Sequence, residues 1–348
     1  MTTRRRSWLP ALGILCALGC TSQTTEAPTP QAREPATQQQ APSSPTRSPL
    51  TSASPQRPVE PVSLPAMMQR TYDGHVLRTR DVILRTDAYT RYYVTYRSDG
   101  LRISGIMNVP DGEGPFPVLV LNHGYIDPAD YVNGQGLTRE QDFLARAGYV
   151  ALHTDYRGHA GSQDAPATER RLRLGYTADV INAVRAIRRS DLPYLDKDRV
   201  GLLGRSMGGG VTYNALVVRP DLVDAAVVYA PVSSNTVDNF ERWIRGEPDR
   251  RALSAAIIER YGAPERNQEF WRGVSPRTYF DRIEAPILVH HGTADASCPI
   301  RWSRRTVAAL ERAGKDVRMF TYPGEPHAFI AEWELSMRRS VRFLDRNL

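Results

Sequence analysis

Cysteine is scarce in this sequence, with three in 348 residues, at positions 16, 20 and 298. Cys16 and Cys20 fall in an amino-terminal segment with its own reading, given below, so Cys298 has no partner and an intrachain disulfide framework is excluded. Metal-ligand spacing is also missing. The seven histidines are not arranged as in a zinc site, and neither a metal nor a cofactor is expected. There is no P-loop and no dinucleotide fingerprint, and no internal repeat. The net charge of +7 and the pI near 9.4 come from basic residues spread along the chain. They are not interleaved with aromatics, so no nucleic-acid partner is expected and attraction to an anionic surface is the better reading.

A long hydrophobic run is absent too. The apolar stretch "WLPALGILCALG" that follows Arg4, Arg5 and Arg6 is too short to span a membrane as a helix, and the layout is that of a secretory signal. It closes on "ALGC", which resembles the bacterial lipobox, with Ala17 where leucine is usual. Cys20 is then the expected lipidation site, and "RRSWL" also loosely fits a twin-arginine signal. From Thr21 to about Pro65 the chain is almost all Thr, Ser, Pro, Gln and Ala. Such a segment cannot bury enough apolar surface to offset ordering and reads as a disordered tether. The expected organisation is a signal over residues 1–19, a tether over 20–65 and a folded domain over 66–348, exported and held at the bacterial cell envelope by lipid on Cys20.

Within that domain strand-like and helix-like segments alternate. "RYYVTYRSDG" and "LRISGIMNVP" read as a hairpin turning on Asp99-Gly100. "FPVLVLNHG" is a near-continuous apolar run, as expected of a central parallel strand. A helix around "TREQDFLARAGY" follows, with Thr138 as N-cap and Gly148 closing it. "VALHTDYRG" is a strand and "YTADVINAVRAIRRS" a helix; the alternation continues through "RVGLLG", "MGGGVTYNALVV", "AAVVYAPV", "APILVHHG", "PIRWSRRTVAALERAG", "VRMFTYPG" and a closing helix at "WELSMRRSVRFLDRNL". This predicts an α/β fold with a mostly parallel central sheet and helices on both faces. The polar-aromatic stretch 233–279 is expected to form a small lid, whose Phe240, Trp243, Tyr261, Phe270 and Trp271 either line a pocket or simply pack. Ligands of such sheets sit beyond the carboxyl ends of the strands.

There the chain places Gly204-Arg205-Ser206-Met207-Gly208, a G-x-S-x-G string between strand and helix, the context in which a sharp turn lifts a serine hydroxyl above the sheet. A serine hydroxyl needs a base, and the base needs a carboxylate to orient it. Among the histidines, His75 lies before the sheet, His123 ends the first central strand, His153 and His159 flank the next, and His290 and His291 end a later one and read as structural. His327, in the loop between the last strand and the last helix, is the candidate base. Asp295, right after the penultimate strand, is the candidate orienter. Asp281 precedes that strand and Glu325 is too near His327 in sequence. Cys298 reads as a small buried hydrophobe. The backbone N–H groups of Met207 and Tyr125 are the expected oxyanion donors.

Together "DRVGLLGRSMGGG", "SPRTYFDRIEAPILVHHGTADASCP" and "TYPGEPHAF" resemble the α/β-hydrolase superfamily, and within it the catalytic domain of the prolyl oligopeptidase family of serine peptidases. The resemblance runs from about Tyr93 to Leu348 and implies an α/β-hydrolase fold, with Ser206, Asp295 and His327 in the triad roles. Two departures stand out. About 45 residues separate the tether from Asp111, too few for the β-propeller of the larger members. The sequence also reads Asn122-His123-Gly124 where larger oligopeptidases often place a tyrosine, and His-Gly there is common among esterases and acyl-peptide hydrolases of the superfamily. The expected activity is hydrolysis of an ester, amide or short peptide through an acyl-enzyme. Carboxylesterase activity is the alternative, and a non-catalytic envelope binding protein a remote one, since a binding module needs none of the three residues.

Overall fold

The computed structural model describes residues 59–348. The signal segment, Cys20 and residues 20–58 of the expected tether lie outside the described residues. The tether boundary at 65 falls too late: helix α1 (Leu64–Gln69) is capped by the Ser63 side chain, and Val62 and Leu64 are buried. This short apolar turn sits on the core, which no polar tether could do.

Among the described residues nine strands form one sheet in the order β1-β2-β3-β5-β4-β6-β7-β8-β9. β1 (His75–Arg85), β2 (Tyr89–Ser98) and β3 (Leu101–Pro110) pair antiparallel, and β3 also runs antiparallel to β5 (Val150–Thr154). The rest is parallel: β4 (Phe116–Asn122) lies between β5 and β6 (Leu195–Arg205), followed by β7 (Ala225–Tyr229), β8 (Ile287–Gly292) and β9 (Val317–Tyr322). The β2–β3 hairpin turns as expected, with Asp99 and Gly100 at φ 51° and 79°, the pair of positive angles a two-residue turn of the favoured hand demands. β1 was not expected: His75 opens this strand. Only Leu77 of its eleven residues is buried, so this edge strand lacks the apolar alternation by which strands are found.

Period-two alternation supplies both faces of the sheet. Along β4, Val118 and Val120 enter one core while Leu119 and Leu121 enter the other. The first core packs under α3 (Leu174–Arg188) and α4 (Met207–Val218); the second is covered by α2 (Thr138–Arg146) and α9 (Trp333–Asn347). α8 (Ile300–Arg312) packs on β8 and β9. α2 corrects one expectation, because its cap position is Leu137, Thr138 is its first helical residue and no side chain caps it. Gly148, at φ 88°, ends it as expected. Between β7 and β8 the chain inserts α5 (Thr236–Phe240), α6 (Arg251–Tyr261) and α7 (Gln268–Gly273) with short turns between them, within the stretch expected to form a lid.

His123, His153 and His290 are among the histidines that sit wholly inside. Burial, the leading cause, pulls the imidazoles of His123 and His290 down to about 3 and His153 well below its ordinary value. Their neutral forms therefore contribute stability that is complete above the unfolded value of about 6.5 and is lost as pH falls below it. The thermal midpoint is expected to fall steadily between pH 6.5 and pH 4, and a midpoint flat across that range would contradict this burial.

Candidate active site

Ser206 sits between β6 and α4 in a backbone conformation that side chains rarely adopt, φ 57° and ψ −120°. Strain of this kind persists only where surroundings over-determine it. Here the Ser206 N–H donates to the Tyr229 carbonyl at 2.9 Å, and the Ser206 carbonyl accepts from Gly209 at 3.0 Å and from Val232 at 3.1 Å. The two glycines of the motif are there because α4 lies on the end of β4. A Cβ at Gly208 would overlap the Asn122 carbonyl, and one at Gly204 would meet the Gly208 carbonyl and Thr212.

Asp295, in the loop after β8, has buried carboxylate oxygens that are fully engaged. Oδ1 accepts from the backbone N–H groups of Ser297 at 2.9 Å and Cys298 at 2.8 Å. Oδ2 meets His327 Nδ1 at 2.8 Å and His291 Nε2 at 3.1 Å. Burial by itself would raise this carboxyl, but the hydrogen bonds from His291 and His327, with the charge of His327 when protonated, outweigh it and hold Asp295 well below the usual carboxylate range. With Asp295 ionised, His327 carries its hydrogen on Nδ1, which leaves Nε2 bare as an acceptor.

His291 was expected to be merely structural, and it proves to be the second support of Asp295. Its Nε2 faces two acceptors, Asp295 and the Cys298 carbonyl at 2.8 Å, while Nδ1 lies 2.7 Å from the Ser303 hydroxyl. The ring therefore donates at Nε2 and accepts at Nδ1. The i, i+4 interval from His291 to Asp295 was visible in the sequence, but strand and loop carry no helical spacing that would mark it. His290 does match the structural reading, between Tyr322 at 2.7 Å and Ser340 at 3.0 Å.

Ser206 and His327 line one cavity of about 520 Å³, with Met207, Tyr125 and Ser297 around them. No hydrogen bond joins Ser206 to His327 among the described residues, and the Ser206 Oγ instead lies 4.0 Å from Cys298 Sγ. Cys298 is buried as expected, with burial and then Asp295 pushing its thiol up to about 12. Thiolates, not thiols, are the reactive form, so Cys298 should resist iodoacetamide at pH 8 in the native protein and react once denatured. Peptide mass mapping reads the outcome, and rapid native alkylation would refute the assignment.

Met207 is the first residue of α4, so its N–H has no acceptor within the helix. Tyr125 follows Gly124, where an added Cβ would stand 3.2 Å from Ser206 Cβ, so this loop lies directly against the serine. The Tyr125 ring was not foreseen as a contact. It lies between Arg173 at 4.4 Å and Arg250 at 5.2 Å, its hydroxyl accepts from Arg250 at 2.8 Å, and both arginines pair with Glu169. Behind the loop, neutral His123 stacks between Tyr131 and Tyr156, at 4.7 and 4.4 Å. Of the five insertion aromatics, Phe240 and Trp243 line the cavity, while Tyr261, Phe270 and Trp271 are packed in the core. Among the described residues no group of His, Cys, Asp and Glu could hold a metal ion, and no helix is long and apolar enough to cross a membrane.

Residues 136–348 match the prolyl oligopeptidase family, Peptidase_S9. The chain is 28% identical over 237 residues to the uncharacterized peptidase YuxL of Bacillus subtilis, covering 66% of this chain and 34% of that protein. It is 24% identical to the uncharacterized peptidase YtmA of the same organism, covering 68% of this chain and 86% of that one. Among solved structures it is similar to the acylaminoacyl peptidase of Pyrococcus horikoshii, at 23% identity and TM-score 0.61 over 76% of this chain and 42% of that one. It is similar as well to acetyl xylan esterase 1 of Thermoanaerobacterium, at 19% identity and TM-score 0.61 over 81% and 92%. The matched part of this chain thus spans about a third of the length of YuxL, and no β-propeller is present among the described residues.

Proposed function

The chain belongs to the prolyl oligopeptidase family, and from that premise we propose that it is a serine hydrolase that cleaves a short peptide, amide or ester through an acyl-enzyme, with Ser206, His327 and Asp295 as its triad. The observation that carries this reading is the 2.8 Å contact of Asp295 with His327 beside a strained Ser206 in the same cavity.

In this reaction the Ser206 oxygen attacks the substrate carbonyl carbon, and His327 Nε2 takes the hydroxyl proton as the two side chains close on each other. Asp295 holds the imidazole in the tautomer that leaves Nε2 free and stabilises the cation that forms. The N–H groups of Met207 and Tyr125 receive the carbonyl oxygen as it gains charge. His327 then gives its proton to the departing amine or alcohol, and water, deprotonated by the same nitrogen, releases the acyl group. A second reading, carboxylesterase activity, uses the same residues and is supported by the likeness of the fold to acetyl xylan esterase 1 of Thermoanaerobacterium, of which the match covers 92%.

The test is labelling of the protein by a fluorophosphonate, beside Ser206→Ala and His327→Ala. Labelling of the parent alone is expected. An unlabelled but folded parent would sink the hydrolase reading and favour a binding protein instead. Turnover of aminoacyl amides against acyl esters then separates the two activities. The arginine-led apolar segment and the "ALGC" string support a second part of the proposal, that the enzyme is exported and held at the cell envelope by lipid on Cys20. A mature protein whose first residue is an unmodified one other than Cys20 would refute it.

A further inference from the structure

One face of α4 forms a side of the cavity, where Met207, Gly210, Val211 and Asn214 recur at helical spacing. Apolar walls stand around it, among them Val232, Phe240, Ile244 and Val274. Two side-chain amides border this apolar space, and their situations differ. The Asn239 carboxamide is committed to Ser233, accepting from its N–H at 3.0 Å and donating to its carbonyl at 2.9 Å. The Asn214 carboxamide has no hydrogen-bond partner among the described residues, and its Oδ1 is buried. No group of the described residues engages this carboxamide, so a ligand whose polar group pairs with its cavity-facing atom is favoured over one that covers that atom with apolar surface.

The position of Asn214 sets the size of that ligand. A rise of 1.5 Å per residue puts its Cα about 12 Å along α4 from Ser206, with the Cα–Cβ bond tilted back towards the serine. An acetyl group on Ser206 ends far short of it. An aromatic residue bearing a terminal hydroxyl covers the interval, its ring among the apolar walls and its O–H at the amide. A hydroxyl both donates and accepts, so it suits whichever carboxamide atom faces the cavity.

We propose that Asn214 is a specificity-determining residue that selects acyl groups of the tyrosine type, a planar aromatic body ending in a hydroxyl, over those of the phenylalanine type. The proposal rests on the serine hydrolase reading. It goes beyond that reading by naming the acyl group.

The experiment compares kcat/KM of the full chain for N-acetyltyrosine ethyl ester and N-acetylphenylalanine ethyl ester, with p-nitrophenyl acetate as a substrate too short to reach Asn214. A site that hydrogen-bonds a substrate hydroxyl rejects the analogue lacking it, so the tyrosine ester should lead by about tenfold or more. In Asn214→Leu the lead of the tyrosine ester over the phenylalanine ester should vanish. On the unaltered protein, p-cresol should inhibit p-nitrophenyl acetate hydrolysis more strongly than toluene does, a comparison that needs no variant to fold. Equal use of the two aromatic esters by a protein that turns over p-nitrophenyl acetate, or a tyrosine preference that survives Asn214→Leu, overturns this inference alone. Absence of both turnover and fluorophosphonate labelling brings down the hydrolase reading and this inference with it.

Discussion

Asp295→Asn is expected to lower kcat for any ester the protein hydrolyses by about 10⁴-fold while leaving the fold intact. The carboxylate accepts four hydrogen bonds, two from backbone and two from imidazoles. An asparagine keeps the backbone pair on its oxygen and turns its NH₂ towards His327 and His291. His327 Nδ1 must then accept, which moves its hydrogen to Nε2 and takes away the free electron pair the serine proton needs. His291 is pinned by the Cys298 carbonyl and Ser303, so it keeps its own hydrogen on Nε2 and adds a clash. Steady-state kinetics with a circular dichroism melt decides the matter. A loss under tenfold would show that Asp295 does not set the tautomer, and Glu325, whose carboxylate instead binds the N–H groups of Ala331 and Glu332, offers no substitute.

Gly208→Ala should have the largest effect on stability, lowering it by about 4 kcal/mol or more, the range reached only through severe local mechanisms. The new methyl group would overlap the Asn122 carbonyl and stand 2.6 Å from that of His123. Both obstacles are backbone atoms, one at the end of β4 and one in the residue after it, so nothing can rotate away, and α4 has to lift off β4. Ser206 and Gly124 would separate with it, so activity should be lost even in whatever fraction folds. Gly273→Ala is the control, because its Cβ meets only Ser63 at an ordinary 3.9 Å and its backbone angle is unremarkable. Chemical denaturation of the two variants should give a large loss for the first and a neutral or slightly favourable change for the second. Equal stabilities would show that the close approach of α4 to β4 is not what the glycine serves.

The parts of this protein that could be read along the chain are those whose cause is local. "FPVLVLNHG", "RVGLLG" and "APILVHHG" are apolar because β4, β6 and β8 are covered on both faces, and burial on both faces leaves its mark residue by residue. The serine motif was legible for the same reason, since the sharp turn and the close helix each demand glycine at a fixed offset. β1 escapes the sequence because an exposed edge strand has little to hide, and Thr138 reads as a cap because cap chemistry is written in residue type while the path of the chain decides which residue stands at the helix end.

By itself the sequence determined the fold class and put the candidate serine, aspartate and histidine on the turns and loops that follow their strands, because strand pattern and turn chemistry act over a few residues. Only the tertiary structure decided that His291 shares Asp295 with His327, that Cys298 backs Ser206, that arginines from two distant segments hold Tyr125, and that Asn214 borders the cavity with its amide unmet. Each of these is a contact between residues far apart in the chain or on different elements, set by how helices settle on a sheet, and no local periodicity records where one side chain will meet another.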